Sequence, residues 1–325
     1  MKTISQLAGC GSYLPQNVVT NDDLAKKVDT SDEWIIARTG IKQRHFVADD
    51  EFTSDIAIEA SKRALEHAGV DGADIDLIVV GTTTPDRTFP ATAVRLQKEL
   101  GCRSGAAFDV QAVCSGFIYA LSIVDSLIQT GQAKTALVVG ADTLSRLLNW
   151  EDRTTCVLFG DGAGAVVVKA VEVEEQSTDD PGILSTHIHS DGNLEELLYC
   201  DGGPSTTQSS GYITMAGKEV FRHAVTNLAA VVKEALEVND LQDSDLDWLV
   251  PHQANKRIIE STAKKLKMSM EKVILTVEDH ANTSAASIPL ALDHGVREGL
   301  IKRGDLLLME AMGGGLTWGA ALVRW

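Results

Sequence analysis

The most constraining feature of this sequence is that it repeats itself. At an offset of 171 residues, Lys62, Ala64, Leu65 and Glu66 recur as Lys233, Ala235, Leu236 and Glu237. Asp74 and Asp76 recur as Asp245 and Asp247, Val79 as Val250, and Ala120 and Leu121 as Ala291 and Leu292. Residues 137–140 fall on 308–311, and the register breaks only after residue 141, where the first copy carries a longer loop. Single apolar coincidences are common, but five segments on one offset mark a duplicated architecture. Each copy alternates short apolar runs with amphipathic ones. That pattern predicts the α/β class, with strands buried on both faces and two similar halves related by pseudo-twofold symmetry. The acidic, turn-rich stretch 172–181 is the expected boundary, giving an N-terminal half, 1–171, and a C-terminal half, 172–325.

In chain order the pattern predicts a strand at 4–11 and helices at 21–28 and 31–40, the latter opened by Ser31 and stopped by Gly40. A helix at 54–68 keeps Ala57, Ala60, Ala64 and Ala68 on one face. Strands at 77–81, 136–140 and 163–168 and a helix at 91–100 complete the first half. The second half is expected to hold helices at 217–238, 254–267 and 284–297, and strands at 247–250, 273–277, 305–310 and 318–325.

Charge narrows the function classes. The formal net charge is −17, which excludes a nucleic-acid partner as the simple reading, since that needs a basic face. No run is long and apolar enough for a membrane helix, and the N-terminus lacks a signal-peptide core, so a cytoplasmic protein is expected. Five cysteines with no C-x-x-C pair argue against zinc and against a disulfide framework, and no metal is expected.

One cysteine stands out. Residues 108–121 read as a buried strand, a turn of small residues (Ala112, Ser115, Gly116) around Cys114, and an apolar helix. Unpaired N–H groups and the positive end of the helix dipole would favour its thiolate. The competing reading is a packed, inert thiol. The duplication places Cys114 opposite Ala285, beside Asn282, and the strand ending at Gly81 over the one ending at Pro251 and His252. Matched strand ends meet near a pseudo-twofold axis, so Cys114, His252 and Asn282 are expected to converge. The plainer alternatives are a strand-end histidine bonded to a carbonyl and an asparagine that caps a helix. Gly313, Gly314 and Gly315 allow close backbone approach, either to a substrate oxygen or simply in a tight hairpin.

These segments, taken together, resemble the 3-oxoacyl-[acyl-carrier-protein] synthase III family. The resemblance rests on Asp32-Glu33-Trp34 with Arg38-Thr39-Gly40, Val113-Cys114-Ser115-Gly116-Phe117, Phe159-Gly160-Asp161-Gly162-Ala163-Gly164, Pro251-His252-Gln253-Ala254-Asn255, Asn282-Thr283-Ser284 through Ser287, and Gly313-Gly314-Gly315 with Thr317-Trp318. It implies a thiolase-like fold layered α-β-α-β-α, usually a homodimer. It implies an initiating condensing enzyme that loads a short acyl group, acetyl first, from acyl-CoA onto Cys114 and condenses it with malonyl-acyl carrier protein. The triad would be Cys114, His252 and Asn282, with the N–H groups of Cys114 and Gly314 as oxyanion hole. Acyl-CoA is then a substrate, and no cofactor is implied. Trp34, Arg38, Arg153, Asn255 and Gly217 match CoA contacts. Phe89, Phe221 and Met312 match the acyl pocket, with Met312 in place of the family's more usual phenylalanine.

The basic residues after His252 give a clue of their own. With Ile258, Ile259, Ala263 and Leu266 inward, Lys256, Arg257, Lys264 and Lys265 gather outside. This is either a solvated face or, on so acidic a chain, a dock for an acidic carrier protein. Three other readings stay open: a cysteine hydrolase of papain-like chemistry, an idle acyl-CoA-binding relative, and a condensing enzyme of secondary metabolism with another primer.

Overall fold

The structure, a computed structural model, describes residues 1–103 and 105–325. Its first sheet runs in the order Lys2–Tyr13, Asp161–Val173, Thr135–Thr143, Leu77–Gly81, Ala106–Val110. The first three strands are antiparallel neighbours and the last two pair in parallel. The second sheet mirrors this with Gly182–Ser190, Thr317–Arg324, Leu306–Gly313 and Trp248–Pro251.

The repeat seen in the sequence is a repeat of register. Leu77 pairs with Ala136, and Trp248 pairs with Leu307, each partner shifted by 171. The same shift relates the 3-10 turns Val113–Ser115 and Ser284–Ala286 and the first residues of the helices Gly116–Gln129 and Ser287–Arg297. It even relates two strained residues: Val113 has φ 48° and Ser284 φ 52°. Non-glycine residues held there cost of order 1–3 kcal/mol and gather at functional sites.

The helices Gly116–Gln129 and Ser287–Arg297 lie between the two sheets. Their apolar faces form one core with Val79, Val138 and Val166 of the first sheet and Leu307, Met309 and Ala321 of the second. Thr53–Ala68 and Thr92–Glu99 cover the outer face of the first sheet, and Gly217–Val238 covers that of the second. The result is the layered α-β-α-β-α arrangement. Close approach is built in by glycine: a Cβ on Gly140 would lie 2.2 Å from the Ala285 carbonyl oxygen, so only glycine lets that turn seat on the strand.

Two expectations fail locally. No strand forms over 273–277: a single bridge joins Leu249 and Val273, and a short helix, Val277–His280, follows. The cause is Gln253, whose Oε1 accepts from the amides of Thr276 and Val277 at 2.9 and 3.0 Å, satisfying the groups a strand would have used. The strand Gly182–Ser190 was not expected, because polar residues disguise it. Two of them, His187 and His189, reach Glu234 of the covering helix at 3.1 and 2.7 Å.

Candidate active site

Cys114 sits in the turn between Ala106–Val110 and Gly116–Gln129, 4% exposed. Burial pushes its thiol up to about 12, with the charge of Asp142 adding to the rise and Ser284 opposing it. This corrects the expectation of a resting thiolate. A rise from 9.0 to about 12 corresponds to roughly 4 kcal/mol, whereas a helix terminus offers at most about 2. Desolvation therefore outweighs the helix terminus.

His252 follows the strand Trp248–Pro251, and its amide donates to the Glu310 carbonyl at 2.7 Å. The imidazole is buried, which lowers its pKa to about 3, so the ring is neutral. Its Nδ1 lies 2.6 Å from the Ser287 hydroxyl. Asn282 is locked by its backbone against Leu158 and Gly160, and its Oδ1 accepts from the Ser284 amide at 2.9 Å. That acceptor role fixes the flip of the side chain and leaves Nδ2 as a donor.

Two cavities meet at the sulfur. One, about 510 Å³, is lined by Cys114, His252 and Asn282, and also by Trp34, Arg38, Asn255, Gly217, Phe221, Arg257 and Met312. The structure thus brings ten of the residues singled out from the sequence to one cavity wall. The other, about 910 Å³, opens on the far side of Cys114, between Thr83, Thr84, Leu144, Leu147, Phe159 and Leu198. Phe159 opens one of the quoted motifs; the other five were not anticipated, since no motif connects their separate segments.

The remaining residues lie elsewhere. Phe89 is 82% exposed and lines neither cavity, so Phe89, Phe221 and Met312 do not share one pocket within a single chain. The Arg38 and Arg153 guanidiniums flank the Trp34 ring, 4.4 and 5.2 Å from its centroid. Lys256 is tied to Glu278 at 2.8 Å. Arg257, Lys264 and Lys265 are exposed and form no ion pair among the described residues. Gly314 stands against Leu198, where a Cβ would meet the carbonyl oxygen at 2.5 Å.

Behind Cys114 lies a polar anchor that the sequence did not reveal. Asp142 is fully buried, and its Oδ1 accepts from the Thr83 amide and from the hydroxyls of Thr82, Thr83 and Thr84 at 2.8–3.2 Å. Its Oδ2 accepts from the Ala285 amide at 3.3 Å. Ser284 faces both this carboxylate and the Cys114 sulfur and favours the charged form of each, although its hydroxyl makes no hydrogen bond of strict geometry.

The comparisons with known proteins agree on one family. Residues 108–192 match the family model described as 3-oxoacyl-[acyl-carrier-protein (ACP)] synthase III, and residues 236–325 match the model of its C-terminal part. A beta-ketoacyl-[acyl-carrier-protein] synthase III of Rhodospirillum centenum is 64% identical over 321 residues, 99% of each chain. The crystal structure of 3-oxoacyl-[acyl-carrier-protein] synthase III from Aquifex aeolicus VF5 superposes with a TM-score of 0.92 at 49% identity, over 99% of this chain and 100% of that one. The corresponding synthase III of Pseudomonas aeruginosa PAO1 gives 0.93 at 43% identity, over 99% and 98%.

Proposed function

This chain belongs to the 3-oxoacyl-[acyl-carrier-protein] synthase III family, the acyltransferases that initiate fatty acid synthesis by condensation, and from that premise we propose that Cys114 is its nucleophile and that His252 and Asn282 are its hydrogen-bond donors. The observation that carries this reading is the meeting of those three side chains, from distant segments, on one cavity wall.

In the first half-reaction the Cys114 sulfur attacks the thioester carbon of an acyl-CoA. The carbonyl oxygen becomes an oxyanion held by the amides of Cys114 and Gly314. Collapse expels the CoA sulfur, which leaves with the proton that the cysteine gives up, so the transfer from thiol to thiol balances. A buried thiol at about 12 and an imidazole at about 3 cannot rest as an ion pair. The proton leaves only as the carbon–sulfur bond forms.

In the second half-reaction malonyl-acyl carrier protein enters the same cavity. Neutral His252 donates through Nε2 and Asn282 through Nδ2 to its thioester carbonyl. They hold the enolate formed as carbon dioxide leaves. The enolate carbon attacks the acyl group on Cys114, and the freed thiolate takes a proton from solvent. An imidazole that is neutral throughout suits a donor to an enolate.

Trp34, Arg38, Arg153, Asn255 and Gly217 form the CoA-side reading: the Trp34 face and the Arg153 guanidinium for adenine, the Arg38 guanidinium for a phosphate, and Asn255 along the pantetheine. Arg257, Lys264 and Lys265 offer free positive charge to an acidic carrier protein. We infer a homodimer, in which Phe89 of the partner subunit enters the larger cavity beside Thr88 and limits the primer to a short acyl group such as acetyl. Its support is the 82% exposure of that phenylalanine next to Arg87 and Thr88, which line the cavity.

The experiment is intact-protein mass spectrometry after mixing with acetyl-CoA, beside Cys114→Ala. An acetyl adduct is expected on the wild type alone, discharged by malonyl-carrier protein with a new carbon–carbon bond in the product. Release of free acetate instead would support a hydrolase. No labelling by acetyl, longer or branched acyl-CoA would overturn the assignment of the nucleophile.

A further inference from the structure

Away from both cavities, three segments bring a sulfur, a ring nitrogen and a carboxylate to one point. Cys10 lies on Lys2–Tyr13, His67 in the last turn of Thr53–Ala68, and Asp293 within Ser287–Arg297. One ligand atom from each lies within 4.8 Å of the others. Cys10 and Asp293 are 0% and 2% exposed, and His67 is at the surface. We propose that Cys10, His67 and Asp293 form a site for a borderline-soft divalent cation, zinc by its chemistry, with water from the open side as fourth ligand.

The geometry carries the argument. Zinc bonds of about 2.3 Å to sulfur and about 2.0–2.2 Å to nitrogen or oxygen, set tetrahedrally, place the sulfur roughly 3.5–3.6 Å from each of the other two atoms. Cys10 Sγ lies 3.6 Å from His67 Nδ1 and 3.4 Å from Asp293 Oδ1. A mixed sulfur, nitrogen and oxygen set suits zinc, while calcium and magnesium call for oxygen alone. Asp293 is oriented as ligating carboxylates are. Its Oδ2 accepts from the Ser12 hydroxyl at 2.6 Å and from Arg297 Nε at 2.9 Å, leaving Oδ1 turned to the sulfur.

The nearby positive charge is already engaged. Arg297 is paired with Asp293. Arg303 donates to the carbonyls of Leu7 and Ala8 and stacks on Trp325 at 4.1 Å. His67 Nδ1 lies against the Cys10 backbone, 3.1 Å from its amide nitrogen and 3.0 Å from its carbonyl oxygen. The Nδ1 lone pair accepts from the Cys10 amide, and a metal takes that tautomer by replacing this hydrogen bond with its own bond to the nitrogen. The Cys10 proton leaves to solvent as the sulfur–metal bond forms, and nothing is oxidised or reduced. Without metal the thiol donates to Asp293. The lack of a C-x-x-C pair has no bearing here, because the ligands come from three segments. A cation here ties a strand and helix of the first half to a helix of the second, so it acts on stability rather than on turnover.

The test uses full-length protein in a Cys114→Ala background, so that the catalytic thiol does not compete. Chelator-treated protein is titrated with Zn²⁺ against a chromophoric competitor, and with Co²⁺ while near-ultraviolet absorption is recorded. The expected result is one zinc per chain, a cobalt–thiolate charge-transfer band, and a thermal midpoint raised by the metal. Adding Cys10→Ala should abolish all three, and adding His67→Gln, a surface change, should weaken zinc binding at least tenfold. No stoichiometric binding, or binding and a charge-transfer band that survive Cys10→Ala, would overturn the proposal.

Discussion

Asp142 and Gly313 hold the same place in the two halves, at the ends of the strands Thr135–Thr143 and Leu306–Gly313, where the backbones keep the 171-residue shift just past the point at which the sequence repeat breaks. In the first half the Asp142 carboxylate accepts from the amide of Ala285, and Thr84 Oγ1 accepts from the amide of Thr143. The 171-residue counterparts of those two amides belong to Cys114 and Gly314. There the counterpart of the aspartate is a glycine, and a Cβ on it would lie 2.6 Å from the Cys114 nitrogen. Among the described residues neither amide donates to a backbone carbonyl. The same backbone thus presents a filled anion position in one half and an open one in the other.

Gly313→Ala should fill the open position. One lost oxyanion donor costs about 3 kcal/mol, so acylation of Cys114 by acetyl-CoA should slow by roughly a hundredfold or more. Quenched-flow mass spectrometry of the acyl-enzyme reads this step alone. Binding of CoA, measured by calorimetry, should change little. An acylation rate within a few-fold of wild type would show that these amides do not hold the oxyanion.

Ser287 should matter for the second half-reaction. Its hydroxyl lies 2.6 Å from His252 Nδ1; by donating to that nitrogen it would keep the hydrogen on Nε2, where the enolate needs it. Ser287→Ala releases the tautomer. Decarboxylation should fall about tenfold, while acylation from acyl-CoA stays near wild type. Because burial lowers His252 to about 3, decarboxylation should also be flat from about pH 5 to pH 8. A limb near 6.5 would mean that the ring titrates as an ordinary histidine and would sink the neutral-donor reading.

The fold was legible where pattern was strong. The strand Leu77–Gly81 and the helix Gly217–Val238 begin and end where apolar spacing places them, and the 171-residue repeat foretold the register of both sheets. The convergence of Cys114, His252 and Asn282 followed from that symmetry. Asp142 did not, because one acidic residue in a Gly-Ala-Asp run has no period to betray it. The strand over 273–277 was misread because a side chain, Gln253, outcompeted the sheet for its amides. The thiolate was misread for a question of magnitude: the helix terminus is visible in sequence, and the depth of burial that outweighs it is not.

Charge on the exposed basic face should separate the two substrates. Arg257→Glu should weaken use of malonyl-carrier protein, raising its KM about tenfold, and should spare acylation by acyl-CoA. Lys256→Ala should have a smaller effect, because that ammonium is already held by Glu278. Steady-state kinetics with each substrate varied in turn checks both. Equal losses in the two half-reactions would show that Arg257 acts through the cavity it lines rather than on the carrier protein.

Glu310 should make stability depend on pH. It lies 1% exposed in the strand Leu306–Gly313, its Oε2 has no partner, and burial raises its pKa from 4.5 to about 8. The folded protein therefore holds a proton that the unfolded chain releases anywhere between those values. Stability falls as pH rises from about 4.5 to 8, by several kcal/mol for a fully buried group, and flattens above. Glu310→Gln removes that proton equilibrium and keeps the shape. Its thermal midpoint should drop less than that of the wild type between pH 5 and pH 8.5, so the variant gains on the wild type by several degrees across that window. Parallel midpoints across the window would show that the Glu310 carboxyl is solvated in the folded chain.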